Sequence, residues 1–174
     1  MNLRGFLEWC EGTTDDERYE LVDGHPVAMA SPTRRHNRLV TALQGRIYAH
    51  VAGLGCESDA SGATLANGRS PDIVVTCDER DLRDSDDFEV LSPTTRDTDL
   101  GPKVEQYRAL ESVQEYLILD SETRFARLFR RDETHPEQLS MLPDRIAGDI
   151  ELRSIGLTFS LDELYTEARI PITS

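Results

Sequence analysis

The spacing of apolar positions changes repeatedly along the chain between the helical and the strand period. The longest helical pattern is predicted over residues 31–52, where Leu39, Leu43 and Ile47 recur at intervals of four and so lie on one face. Glycines at 53 and 55 mark its end. Shorter amphipathic helices are predicted over residues 2–10, 99–110 and 160–168.

Predicted strands are short runs of β-branched or aromatic residues between turn residues. Residues 19–22 and 27–30 are expected to form a hairpin around Asp23-Gly24. Residues 72–77 and 116–119 have the composition of buried central strands. Weaker strand segments are expected at residues 56–69, 88–91, 125–129, 139–142 and 150–152. This interleaving of strands and helices predicts an α/β fold, in which a mixed β-sheet is flanked by helices.

Length and composition favour one domain over residues 1–174, because a chain of this size can bury a core of its own. The sequence has no apolar run of about 18 residues, so no membrane span is expected, and its first residues do not resemble a signal peptide. Cys10, Cys56 and Cys77 are widely spaced and form no CxxC motif. They therefore indicate neither a disulfide framework nor a zinc site, and a reducing cytoplasm is the expected compartment.

The chain is acidic, with 19 basic and 33 acidic side chains and a net charge of −14. This charge argues against a passive nucleic-acid binder, because phosphate contacts require positive groups. A metallonuclease is still compatible with it if the positive groups are local and metal ions complete the site. Lys103 is the only lysine in the sequence. Either the chain has a general bias toward arginine, or this lysine is retained for its compact charge.

Two carboxylates and one ammonium group stand out by position. Asp72 opens a buried strand, Glu89 leads the short strand at 88–91, and Lys103 lies in a predicted helix. Carboxylates on neighbouring strand ends could hold a hard divalent cation through oxygen, and such a cation activates water and screens phosphate. A nearby lysine could orient the nucleophile or stabilise developing charge. Spacing alone is weak support, because 33 of 174 residues are acidic.

The surrounding motifs carry a resemblance. Pro71-Asp72, Glu89-Val90-Leu91 and Lys103 resemble the PD-(D/E)xK nuclease signature, in a variant that has Leu91 at the usual lysine position and the lysine on the following helix. With the run EVLSPTTRD and the upstream YELVDG and SP..RH motifs, the sequence resembles the Uma-two family of restriction-endonuclease-like proteins over residues 19–168. The resemblance implies a restriction-endonuclease-like core and a divalent-metal-dependent endonuclease that cleaves DNA.

The resemblance also implies roles for individual residues. Asp72 and Glu89 would bind Mg²⁺ (or Mn²⁺), with Glu20 as an additional ligand and the Val90 carbonyl as another. Lys103 would position water or neutralise the leaving phosphate. Without the resemblance, Glu20 would be interpreted as a solvent-facing residue of an amphipathic strand. A homodimer would suit an enzyme that cuts both DNA strands.

Residues that contact DNA are expected in the first turns of the long helix. The N-terminus of a helix attracts phosphate, and the densest basic cluster of the chain lies there. The alternative is an exposed basic turn whose surface ion pairs contribute little. Tyr107 shares a helix face with Lys103 and is either a substrate contact or a core aromatic residue. The cluster consists of Arg34, Arg35, His36 and Arg38. Because the family pattern uses carboxylates and lysine for the chemistry, His36 is expected either to support the catalytic carboxylates or to contact DNA.

A second function is compatible with the same fold, because a fold does not determine an activity. The chain could be a catalytically inactive, acidic protein-interaction domain. Its net charge of −14 and the poor strand composition before Glu89 favour this alternative. Metal binding distinguishes the two hypotheses, because only a nuclease site should bind Mg²⁺ or Mn²⁺ through Asp72.

The residues that precede Glu89 are unsuited to a central strand. Residues 83–88 are mostly charged, and a strand of normal length needs about five residues, whereas only residues 88–91 have strand composition. We therefore predict that residues are missing from the sequence here, with a break in Cα spacing between Arg83 and Glu89, most strongly at Phe88–Glu89. A second break is expected within residues 57–71, which are short and polar.

Overall fold

Four helices and ten strands form the described part of the chain, which in this computed structural model comprises residues 1–14, 17–60, 64–65, 67–77, 85–91 and 102–171. For residues 85–91 and 102 the description covers the backbone. The helices are α1 (Leu3–Gly12), α2 (Arg34–Val51), α3 (Pro102–Arg108) and α4 (Leu161–Glu167). The strands are β1 (Tyr19–Val22), β2 (His25–Ala28), β3 (Glu57–Ala60), β4 (Ile73–Thr76), β5 (Ser85–Leu91), β6 (Glu115–Asp120), β7 (Ala126–Arg131), β8 (Leu139–Met141), β9 (Asp149–Leu152) and β10 (Leu157–Ser160).

A six-stranded sheet with the order β3-β4-β5-β6-β7-β8 forms the centre of the fold. Its neighbouring strands are antiparallel except β5 and β6, which are parallel. Parallel neighbours need a crossover connection, and α3 lies in the segment that joins them. Strands β1–β2 and β9–β10 form separate hairpins. The predicted α/β fold with a mixed sheet is therefore confirmed.

Strand β6 shows why helices cover both faces of this sheet. All six of its residues are buried, and successive side chains of a strand point to opposite faces. Leu117 and Leu119 belong to the core cluster that contains the apolar residues of α2 and α4, whereas Tyr116 and Ile118 belong to the cluster of α3. Each face of the strand consequently needs its own apolar cover.

Helix α2 follows the predicted pattern closely. Its N-cap is Thr33, whose side chain accepts a hydrogen bond from the backbone N–H of His36 at 3.2 Å. Leu39, Leu43 and Ile47 are completely buried on the face that packs against the sheet. None of the helices in the described residues combines the length and the hydropathy needed to cross a bilayer.

Strand β5 corrects the predicted break in the chain. It runs without interruption from Ser85 to Leu91, and its parallel register with β6 continues through Phe88–Glu89. The break predicted at Phe88–Glu89 is therefore wrong. Ladder bonds from β4 and β6 on its two sides make this segment a strand in spite of its acidic first half. Residues 83 and 84 lie outside the described part of the chain, so a break before Ser85 stays a prediction. Residues 61–63 and 66 are also outside it, so the second break, predicted within residues 57–71, stays a prediction as well.

A disulfide joins Cys56 and Cys77, whose Cα atoms are 4.1 Å apart. Glu57 of β3 pairs with Thr76 of β4 in an antiparallel register, so the two cysteines that flank this pair lie opposite each other. The expectation that the cysteines would form no disulfide is wrong, because spacing along the chain carries no information about strand register. The cysteine-based argument for a reducing compartment is lost with it.

Candidate active site

Asp72 lies immediately before β4, where the chain enters the centre of the sheet. Only 7% of its surface is exposed, and all four residues of β4 are buried. His36 Nε2 lies 3.0 Å from Asp72 Oδ2. A buried carboxylate is costly without a hydrogen-bonding partner, and the first turn of α2 supplies one. Asp72 is therefore held in a defined position.

Glu89 occupies the corresponding place on the neighbouring strand. The antiparallel ladder between β4 and β5 ends at the pair Ile73–Phe88. Asp72 precedes Ile73 and Glu89 comes after Phe88, so both residues lie next to the same end of this ladder. On its other side, Glu89 pairs with Ile118 of the central strand β6. The backbone thus places both residues just beyond one end of the β4–β5 ladder, Asp72 before β4 and Glu89 within β5. The side chain of Glu89 is outside the described part, and its convergence with Asp72 stays a prediction.

Glu20 is buried in β1 and lies between two cations. Its Oε2 accepts a hydrogen bond from Arg69 Nη1 at 2.9 Å. Its Oε1 accepts one from the backbone N–H of Ser70 at 3.2 Å and lies 3.3 Å from Lys103 Nζ. Since only 7% of Glu20 is exposed, the interpretation of this residue as a solvent-facing strand position is wrong.

Lys103 and Arg69 are the two cations, and both are buried. The Lys103 side chain is 5% exposed and that of Arg69 is 2% exposed. Arg69 Nε also donates to Gln106 Oε1, which connects the segment before Asp72 to α3. Sequence reasoning missed Arg69. The sequence feature that could have indicated it is an arginine just before a buried strand, where a charged group needs a partner of opposite charge.

The four residues of the predicted basic cluster lie in different surroundings in the structure. Arg35 forms an exposed ion pair with Glu122. His36 is 8% exposed and directed at the buried carboxylate described above. Of the two roles left open for His36, the structure therefore shows the one beside a predicted catalytic carboxylate, and His36 is enclosed instead of being presented to a nucleic acid. Arg34 and Arg38 are exposed on a different side of α2.

Arg34 and Arg38 share a cavity with a third arginine, Arg169. The cavity has a volume of about 420 Å³ and lies between α2 and the end of α4. Within the described residues, none of these three arginines forms an ion pair. Asn37 and Thr41 add hydrogen-bonding side chains to its wall. Glu167 also lines the cavity, so its wall carries three arginines and one carboxylate.

Tyr107 is part of the core. It has no exposed surface, and its ring centroid is 4.5 Å from that of Tyr116, which stacks in turn on Phe129. Of the two interpretations left open by the sequence, the structure shows the core aromatic residue. Tyr107 is therefore removed from the residues that a nucleic acid could contact.

The donors available to a metal ion are carboxylate oxygens. Among the described side chains, which exclude Glu89, no three His, Cys, Asp or Glu residues are grouped so as to hold an ion. Asp72 and Glu89 at one end of the β4–β5 ladder offer the hard oxygen donors that Mg²⁺ prefers. This donor set fits a magnesium ion and does not fit a structural zinc ion, which takes sulfur and nitrogen ligands.

The sequence matches a family model over residues 3–160. The model is that of the Uma2 family, described as "Putative restriction endonuclease". An uncharacterized protein of Synechocystis sp. is 31% identical, with the match covering 92% of this chain and 88% of the relative.

The fold is also found in a solved structure. The crystal structure of a protein from Anabaena variabilis, described as "a putative nuclease belonging to DUF820", superposes with a TM-score of 0.75. The match covers 97% of this chain and 99% of the other, at 16% sequence identity. At that identity the similarity establishes a common fold.

Proposed function

The chain belongs to the Uma2 family, and on this premise we propose that it is a divalent-metal-dependent endonuclease that hydrolyses DNA phosphodiester bonds. The observation that carries the proposal is the position of Asp72, which is buried, hydrogen-bonded to His36, and at the same ladder end as Glu89. Lys103 reaches the segment just before Asp72 through Glu20. Two carboxylates and an ammonium group in this arrangement suit phosphodiester hydrolysis.

The proposed roles follow from the chemistry of each group. Asp72 and Glu89 would hold Mg²⁺ or Mn²⁺, which would supply activation of water and screening of the phosphate charge when bound. The ammonium group of Lys103 stabilises negative charge that develops on the phosphate, or orients the nucleophile. His36 keeps the Asp72 carboxylate in one position. The low exposure of Asp72, Lys103 and His36 limits competition from solvent and strengthens their electrostatic interactions.

DNA binding is proposed for the cavity of Arg34, Arg38 and Arg169. A chain with a net charge of −14 repels DNA overall and needs local positive groups to hold it. Arg34 and Arg38 are each two residues from His36, which is a rotation of about 200° around the helix axis. We therefore expect the cavity to bind a DNA backbone phosphate other than the scissile one, on the side of α2 that faces away from His36.

The decisive experiment measures plasmid cleavage and Mn²⁺ binding together. We expect the wild type to nick or linearise plasmid DNA with Mg²⁺ or Mn²⁺ and to be inactive with EDTA. Asp72→Asn should abolish cleavage and weaken Mn²⁺ binding in calorimetry, because it removes a charged ligand of nearly the same shape. Lys103→Ala should reduce cleavage by about 10²–10³-fold, which is the usual effect of losing one transition-state stabiliser.

A matched control is Asp144→Asn. Asp144 pairs with Arg127 on the surface at 2.7 Å, and its replacement should change neither metal binding nor cleavage. A wild-type protein that binds no Mn²⁺ and cleaves no DNA would contradict the proposal.

The alternative is a catalytically inactive, acidic protein-interaction domain on the same fold. The continuity of β5 through Phe88–Glu89 and the net charge of −14 favour it. This alternative predicts no Mn²⁺ binding and equal behaviour of the wild type and Asp72→Asn. The same titration therefore decides between the two functions.

A further inference from the structure

A buried network of charges connects three separate parts of the chain. Glu20 comes from β1, Arg69 from the segment before β4, and Lys103 from the first turn of α3. Both carboxylate oxygens of Glu20 are used, since Oε2 contacts Arg69 and Oε1 contacts Ser70 and Lys103. Arg69 continues the network by donating to Gln106 of α3.

The backbone around this network is closely fitted. Leu21 N–H donates to the carbonyl of Gly68 at 2.9 Å, and Leu65 N–H donates to the carbonyl of Arg69 at 2.8 Å. Gly68 has a φ of +81°, and a Cβ atom there would overlap the side chain of Leu21. A residue with a side chain would therefore push β1 away from the segment that carries Arg69.

The charges decide what each group contributes. A buried ammonium group is unfavourable unless an opposite charge is close, and Glu20 supplies that charge to Lys103. One carboxylate, that of Glu20, contacts both Arg69 and Lys103, so it ties the two cations together. An ammonium group held in this way beside the segment that leads to Asp72 suits a site that receives a phosphate anion.

We propose that Glu20 is a positioning residue that holds Lys103 in the site, and that Arg69 is a further residue of the site that fixes Glu20. This assignment differs from the metal-ligand role implied for Glu20 by the family resemblance. Its consequence for cleavage rests on the proposed nuclease function, whereas its structural content can be tested without metal or DNA.

The single lysine of the chain provides the test. The metal-free protein is treated with an amine-selective acylating reagent, and the modification of Lys103 is followed by peptide mass spectrometry, with the Met1 amine as internal reference. We expect Lys103 in the wild type to react far more slowly than Met1. Glu20→Gln keeps the side-chain shape but removes the charge, and should accelerate acylation of Lys103 by about tenfold or more as the group becomes free to leave the interior.

Arg69 variants test the second half of the proposal. Arg69→Gln should also accelerate acylation of Lys103, because Glu20 loses the partner that holds its other oxygen. Arg69→Lys should do so partially, since one ammonium group cannot reproduce the planar fork that contacts both Glu20 and Gln106. Arg130→Gln is the matched control. It breaks the remote buried pair of Arg130 and Glu115, whose atoms lie 2.6 Å apart, and should leave Lys103 unreactive.

Metal affinity separates a positioning residue from a ligand. Glu20→Gln should bind Mn²⁺ within about threefold of the wild type, while Asp72→Asn loses binding. Cleavage by Glu20→Gln should fall nearly as far as in Lys103→Ala, through kcat and not through KM for DNA. Loss of Mn²⁺ affinity in Glu20→Gln equal to that in Asp72→Asn would overturn the proposal.

Circular dichroism confirms that each variant is folded at the labelling temperature. If the variants do not fold, the wild type alone is decisive, and reaction of its Lys103 as fast as Met1 would contradict the network. A wild type that protects Lys103 but cleaves no DNA would contradict the nuclease function and still support the positioning network.

Discussion

The contact between His36 and Asp72 shows how one residue of α2 prepares the candidate metal site. Asp72 is 7% exposed and His36 is 8% exposed, with 3.0 Å between Nε2 and Oδ2. The position of His36 is itself set by Thr33, which caps the helix through the His36 backbone. A carboxylate fixed in this way binds a cation without first losing rotamer freedom.

We expect His36→Ala to weaken Mn²⁺ binding by about 10–100-fold, the range found for residues that orient a metal ligand. His36→Gln, which retains a hydrogen-bonding group, should recover part of the affinity. Calorimetric titration with Mn²⁺ measures both effects.

The control is His50→Ala on the same helix, because His50 Nε2 contacts the carbonyl of Ile155 at 2.8 Å, far along α2 from Asp72. It should change stability at most. Unchanged Mn²⁺ affinity in His36→Ala would show that the contact serves packing alone.

At the scale of elements, Tyr165 anchors α4 to the end of β6. Its Oη lies 2.6 Å from the carbonyl oxygen of Asp120 and 3.0 Å from that of Phe125. It also accepts a hydrogen bond from the backbone N–H of Asp120 at 3.2 Å. Burial raises the pKa of Tyr165 far above its usual range, so the hydroxyl keeps its proton and remains a donor. This one group adds hydrogen bonds where β6 ends, beside the bond that the Asp120 N–H donates to the Phe125 carbonyl at 3.2 Å.

Tyr165→Phe should lower the free energy of unfolding by about 1–3 kcal/mol, because it removes the hydroxyl that donates to the buried carbonyl of Asp120. Urea denaturation followed by circular dichroism measures the loss. Tyr48→Phe is the control, since Tyr48 is 64% exposed on α2 and its replacement should have no effect. Equal stability of Tyr165→Phe and the wild type would refute the anchoring role.

At the scale of the whole molecule, the disulfide between Cys56 and Cys77 links two neighbouring strands at one edge of the six-stranded sheet. It crosslinks the edge strand β3 to β4 at the end opposite to Asp72. The crosslink encloses a separation of 21 residues, much of which forms the segment that carries Arg69. It therefore restrains the unfolded chain more than it changes any contact of the folded site.

Cys56→Ala with Cys77→Ala should lower the free energy of unfolding by about 3 kcal/mol, as chain entropy predicts for a loop of this length. Dithiothreitol should destabilise the oxidised wild type by a similar amount and leave the double variant unchanged. Cys10→Ala, which alters a free thiol, is the control. Identical urea midpoints for the wild type with and without dithiothreitol would contradict a stabilising disulfide.

The local pattern of apolar and polar residues was sufficient to predict most helices and strands. The period of Leu39, Leu43 and Ile47 predicted α2 within three residues at its start and one at its end, and the β-branched run after Asp72 predicted β4. These features depend on propensity and on the burial of one face, both of which are written in neighbouring residues. Strand β10 was missed, because its four residues become a strand by pairing with β9. The polar first half of β5 was missed for the same reason, because it becomes a strand by pairing with β4 and β6.

The sequence by itself determined the α/β fold, the strand that follows Asp72, and the acidic and basic residue types from which a metallonuclease site could be built. Only the tertiary structure decided which of these residues meet. It paired Glu20 with Arg69 and Lys103, turned His36 toward Asp72 and placed Tyr107 in the core. The physical reason is that burial and ion pairing depend on contacts between residues distant in the chain, which strand register and helix packing establish and local periodicity does not encode.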